Sequence, residues 1–267
     1  MKICSFVRAA HCGFILLLAG SVAAQAAEIR MLVSPGFGPV MQDLGPKFER
    51  ATGHQLAVSS ASLGAIVKRV RDGEIFDVVL APRPAIDAFV KDGKTTAGSV
   101  TVVATAGMGV AVRAGAPKPD VSSPEALKRT LLAARSITYP DPKNLAGNPE
   151  LGIHFERVID RLGITDEIKS KTVFPGSLAI GELVASGKAE VGIAQLQNLN
   201  RSAGIEIVGP LPRDLQDPVV FQAAILAGAR NTEAVKALID FMRTPEAAAA
   251  MRAQRMDPVN AGPGGAH

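Results

Sequence analysis

Residues 28–83 state a strand–loop–helix unit twice and follow it with a third strand. Ile29–Val33 and Gln55–Val58 are short apolar runs, and each leads at once into small residues. These are Ser34-Pro35-Gly36-Phe37-Gly38 and Ser59-Ser60-Ala61-Ser62-Leu63-Gly64, and both open a helix. Strands alternating with helices in this way build a parallel sheet covered by helices. Two such loops sit side by side at its carboxyl edge, where the first unpaired N–H groups and the positive helix ends converge. That convergence is a receptacle for a small anion.

The rest of the chain repeats the alternation. Amphipathic helices are expected over Val40–Arg50 and Leu63–Asp72, stopped by Gly53 and Gly73. Asp77–Ala81 is a strand apolar after its first residue, the pattern of a sheet covered on both faces. Ala85–Lys91 is a helix, and Val100–Ala104 with Met108–Arg113 are strands forming a first crossover. Pro124 and Glu125 open a helix whose apolar face is Leu127, Leu131 and Leu132. A strand at Ser136–Tyr139 enters a Pro/Gly/Asn-rich loop and the helix Glu150–Leu162. Then come a strand at Lys171–Phe174, a helix at Leu178–Ser186 and strands at Ala189–Ala194 and Ile205–Val208. Val219–Leu226 is the return crossover, and the helices Thr232–Arg243 and Pro245–Arg255 close the body.

The expected fold class is therefore α/β: two α/β lobes around a ligand cleft, joined by two crossover segments. Lobe 1 comprises 27–107 and 219–258, lobe 2 comprises 108–218, and 259–267 is a flexible tail. Residues 1–26 read as a cleavable export signal, with Lys2 and Arg8 before the apolar Gly13–Ala24 and an Ala24-Gln25-Ala26 cleavage site. Both cysteines, Cys4 and Cys12, lie inside it. Without Lys2 and Arg8 the mature chain carries 27 basic and 25 acidic residues, net +2. Such a balance, with one Tyr and no Trp, gives no basic–aromatic surface for nucleic acid.

Covalent chemistry finds little support. Gly36 and Gly38 lack the third glycine of a dinucleotide loop, and Pro39 interrupts it. His54, His154 and His267 show no metal-ligand spacing, and His154 reads as structural or solvated. Ser177 after Pro175-Gly176 lacks the second glycine of a nucleophile elbow. Asp77 and Glu190 are acids at strand starts. Neither a metal nor a cofactor is expected. What recurs is the small, polar opening of helices, at 34–38, 59–64, 144–152 and 176–177. Neutral donors of this kind hold a fully ionised oxyanion by charge-assisted hydrogen bonds without an opposing charge that would slow release.

Val40-Met41-Gln42-Asp43-Leu44, Gly73–Val79, Tyr139-Pro140-Asp141-Pro142, Gly152-Ile153-His154-Phe155, Gly187–Ile193 and Thr244–Ala248 occur in an order and spacing that resembles a known family. It is that of the periplasmic molybdate-binding proteins of ABC transporters, within the wider extracellular solute-binding group. The resemblance covers Glu28–Pro258 and implies the type II periplasmic-binding-protein fold. It implies a non-enzymatic, monomeric protein that closes on a small anion in the periplasm and delivers it to a membrane permease. It also implies a ligand set: Ser34 or Gly36 in the first loop, and Ser62, Leu63 and Gly64 in the second. In the second lobe the set is Asn144, Gly147, Ser177 and Gln195. The family's serine hydroxyls align with Gly36 and Leu63 here, and its tyrosine hydroxyl with Gln195. The alternatives are a paralogue for an organic anion, an exported enzyme on a small polar substrate, and a binding protein that serves a sensor. Arg83 and Arg213 are the arginines considered for a carboxylate, though each reads more simply as solvated.

Overall fold

The computed structural model describes residues 26–144, 149–176 and 178–259. Residues 1–25 of the expected export signal, Gly147, Ser177 and the tail beyond residue 259 lie outside the described residues. Two sheets organise the chain. The first has six strands in the order β10-β4-β9-β3-β1-β2. These are β1 (Glu28–Val33), β2 (Gln55–Ser60), β3 (Val78–Pro82), β4 (Thr101–Ala106), β9 (Val219–Ile225) and β10 (Asp257–Pro258). The second has four, in the order β6-β7-β5-β8, from β5 (Met108–Arg113), β6 (Ile137–Thr138), β7 (Val191–Gln195) and β8 (Ile205–Pro210).

The opening units fold as their pattern dictates. β1 pairs in parallel with both β2 and β3, so the loops after them share one sheet edge. Helix α1 (Gly38–Thr52) turns Val40, Met41, Leu44 and Phe48 onto the sheet and ends at Gly53, whose left-handed φ of 76° lets its N–H return to Glu49. Helix α2 (Leu63–Arg71) is capped by Ser62, whose hydroxyl accepts the Ala65 N–H at 3.4 Å. Helix α3 (Arg83–Lys91) starts directly after Pro82. Odd-numbered β1 residues Ile29, Met31 and Val33 join the core under α1, α9 (Thr232–Phe241) and α10 (Pro245–Ala253). Leu32 joins the core under α2 and α3 on the other face. Both faces are buried, which is why β3 reads as an unbroken apolar run.

The chain leaves the first sheet at Gly107 and returns after β8, with β9 antiparallel to both β3 and β4. The second sheet packs on α4 (Pro124–Ala133), α5 (Pro149–Arg161) and α6 (Thr165–Ser170), and α7 (Ile180–Ala185) and α8 (Leu196–Leu199) complete it.

Two local expectations are corrected. Lys171–Phe174 is not a strand: it makes a single bridge, Thr172 to Ile137. The Lys171 carbonyl and Val173 N–H bond Ile137 on either side of that bridge, but the side chains turn elsewhere, Lys171 Nζ donating to the Leu132 and Ala134 carbonyls at 2.7 Å and the Thr172 hydroxyl to the Ile168 carbonyl at 2.7 Å. Leu132 is 40% exposed and leaves the apolar face of α4 to Ala126, Leu127 and Leu131. No helix among the described residues is long and apolar enough to cross a membrane.

Candidate functional site

A cavity of about 840 Å³ lies where the loop after β1 meets the second sheet, lined by Pro35 on one side and by Asp141, Asn144, Gly176, Gln195, Asn198 and Arg201 on the other. It is the place where loops from both halves converge. A second cavity of about 820 Å³, lined by Arg113, Asp120, Arg129, Arg135 and Glu190, sits beside α4, away from those loops. Its carboxylates already have local partners: Asp120 accepts from Ser122, and Glu190 accepts the Arg135 N–H at 2.9 Å and its Nε at 3.2 Å.

Ser34 directly follows β1, buried, with its N–H on the Leu80 carbonyl at 2.9 Å and its hydroxyl unpartnered. Gly36 is half-buried, and a Cβ there would lie 3.3 Å from Gln197 Nε2 and 3.5 Å from the Phe221 ring. A side chain at 36 therefore requires the Gln197 amide to give way by a few tenths of an ångström. Ser62 has its hydroxyl engaged in capping α2. Leu63 packs its side chain against the core of Ile66, Val70 and Phe76, which leaves only its backbone for a ligand. Gly64 is exposed, with no atom within 4 Å of where a Cβ would stand. None of these three lines the cavity, whereas Asn144 and Gln195 do. Gly147 and Ser177 lie outside the described residues.

The structure adds groups that the sequence reading missed. Gln197 on α8 is 1% exposed, and both its amide nitrogen and its oxygen lack a partner. Gln195 Nε2 is likewise unpartnered, and its oxygen accepts from Asn198 at 3.5 Å. Arg201 donates to Asn198 Oδ1 at 2.9 Å. Arg201 is the cation among the described lining residues, while Arg83 is exposed at the start of α3 and Arg213 lines a separate surface hollow. Gln222 on β9 is buried with Oε1 unpartnered. Val33 pairs with Leu80, and Ala81 with Gln222, so Ser34, Ala81 and Gln222 form one row across the sheet edge. The available signal was the amide-rich run Gln195-Leu196-Gln197-Asn198 at the end of an apolar strand.

Other charged groups are structural. Asp141 and Glu182 line the cavity, and each is held by a neighbouring backbone N–H, of Lys143 at 2.8 Å and of Ala179 at 3.2 Å. His154 is buried on α5 with Nδ1 3.8 Å from Asp217 and does not line the cavity. Burial pushes its pKa below the ordinary value. No group of three or more His, Cys, Asp or Glu among the described residues is placed to hold a metal ion.

Residues 29–255 match the model of a family described as bacterial extracellular solute-binding protein. An aconitate isomerase from a Pseudomonas species is 32% identical over 257 residues, spanning 93% of this chain and 95% of that protein. The molybdate-binding protein ModA of Azotobacter vinelandii is 30% identical over 237 residues, spanning 86% and 90%. A solved substrate-binding domain from Clostridium difficile superposes with a TM-score of 0.77 at 14% identity, over 88% of this chain and all of that one. The fold is the two-lobed α/β fold of type II periplasmic binding proteins, and the chain belongs to the bacterial extracellular solute-binding protein family.

Proposed function

We propose that this chain is the periplasmic solute-binding component of an ABC importer. Its lobes, 27–107 with 219–258 and 108–218, close on a small oxyanion and present it, as a monomer, to a membrane permease. The observation that carries this reading is the group of buried, neutral and unpartnered polar atoms where the loop after β1 meets the end of β7: Ser34 Oγ, Gln195 Nε2 and the Gln197 amide. Buried polar atoms without partners cost free energy that an anion's oxygens recover, and neutral donors release the anion again. Kinship with a molybdate-binding protein supports molybdate and tungstate as first probes.

A thermal-shift series with molybdate, tungstate, sulfate and small organic acids tests it. An anion at a hundred times its Kd adds about 2.7 kcal/mol, which for a chain of this size moves Tm by about 5–10 °C. No shift with any of these anions sinks the reading.

A second reading is favoured by the 32% identical aconitate isomerase. With the hydroxyls aligned to Gly36 and Leu63 missing, and with a cavity of about 840 Å³, the cleft also suits a small polycarboxylate, bound or isomerised. Proton NMR of the protein with trans-aconitate distinguishes the two: conversion to the cis isomer establishes an enzyme, and unchanged substrate leaves a binding protein.

A further inference from the structure

Gln197 stands in a place that neither a core residue nor a surface residue occupies. It is 1% exposed, yet Nε2 and Oε1 both lack partners. It reaches from the second sheet to the first loop of the first, where the missing Cβ of Gly36 would come within 3.3 Å of Nε2. Its chain neighbours Gln195 and Asn198 line the cavity from one side and Pro35 from the other, and Gln197 lies buried behind them. The preceding Leu196 N–H bonds the Gly107 carbonyl at 3.0 Å, on the first crossover. A change in angle between the two sheets therefore alters the contact between Gln197 and Gly36.

We infer that Gln197 contacts the ligand at the floor of the cleft and selects an anion that carries its own O–H donor, a hydroxycarboxylate. The inference rests on the cleft being the binding site proposed above. An amide presents a donor edge and an acceptor edge together. A fully ionised tetrahedral oxoanion offers acceptors only, so it satisfies Nε2 and leaves Oε1 facing negative oxygen. A carboxylate with a neighbouring hydroxyl meets both edges at once. A site built to bond a hydroxyl rejects the analogue lacking it far more strongly than an apolar pocket does. Gly36 belongs to the same device, because any side chain there displaces the amide.

The test uses matched pairs that differ by one hydroxyl, malate with succinate and citrate with tricarballylate, together with molybdate. Binding is measured by calorimetry on the mature full chain, its Gln197→Leu variant and Gln197→Met as a second replacement. Unliganded Tm of each variant at or above that of the wild type verifies folding, since each removes two unpaired buried atoms. The wild type is expected to bind a hydroxy member at least about tenfold more tightly than its partner, and both variants to lose that preference. Equal binding of both members by the wild type, or a preference that survives in the variants, overturns the inference. Molybdate bound equally by all three proteins, with none of the carboxylates bound, also overturns it while leaving the importer reading intact. No binding of any anion overturns both.

Discussion

Asp77 is a carboxylate that the first sheet uses as a brace: it is 2% exposed, Oδ2 accepts the Arg30 N–H at 2.8 Å, and Oδ1 accepts the Arg230 N–H at 2.7 Å. It thereby joins β1 to the turn that follows β9. Asp77→Ala leaves the partly buried Arg30 and Arg230 N–H groups without their acceptor and is expected to cost about 2 kcal/mol. Asp77→Asn, which keeps one acceptor oxygen, costs less, and urea unfolding midpoints rank the pair. His154 sets a pH dependence of definite sign. Burial holds its folded pKa below the ordinary 6.5, with Asp217 partly opposing. As pH falls below 6.5 the unfolded chain takes the proton first, so stability present above that pH is lost on the way to the folded value. Melting curves from pH 7 to pH 5 should show a steeper decline for the wild type than for His154→Gln. At this scale the acid at the start of β3 was legible in the sequence as structural. The value of Gln197 was not, because it depends on the absence of a side chain at Gly36, on a loop of the other sheet.

Elements were legible where pattern and punctuation agreed. Each opening helix ends at its expected glycine, and β3 ends at its proline, because those residues act locally on the backbone. Elements failed to show where tertiary contacts decide. The α8 helix is only four residues long, too short for any period, and is held by Leu196 on Gly107 and by packing against β5. The segment after α6 carries strand-like residues, but Lys171 is drawn away to carbonyls at the end of α4. The same dependence on neighbours explains Gly152. A Cβ there would overlap the Pro140 carbonyl and stand 2.6 Å from Pro142 N. Both are backbone atoms with no rotamer to yield. Gly152→Ala must therefore part α5 from the 140–142 segment, which supplies Asp141 to the cavity. About 2 kcal/mol of stability is expected to go, as for overpacking elsewhere. A loss of anion affinity should accompany it. Chemical denaturation with calorimetry on the same variant checks both.

For the whole molecule the question is how two sheets, each with its own core, hold a defined angle. The answer lies in the two crossovers. Gln216, on the segment returning to β9, accepts the Met108 N–H at 3.1 Å. Its Nε2 donates to the Met108 carbonyl at 2.8 Å and to the Leu211 carbonyl at 3.2 Å. One side chain thus ties the outgoing strand to the incoming one, and a Cβ on Gly107 would stand 2.9 Å from its Oε1. If the lobes close as proposed, rotation occurs about this junction, and Gln216 limits which angles the unliganded protein visits. Gln216→Leu removes all three bonds while keeping similar volume. Its direct cost is about 1–3 kcal/mol, with a further effect on binding. When the fraction of molecules in the binding-competent angle falls, apparent Kd rises by the same factor. A tenfold fall in that fraction weakens affinity by about 1.4 kcal/mol without touching the cavity. Small-angle scattering checks this directly. The variant should have a larger radius of gyration than the wild type without ligand and the same radius when saturated, against roughly 18 Å for a compact chain of this length. Identical radii in both states would assign Gln216 to stability alone and move control of the lobe angle to the α8 contact with the Gly36 loop.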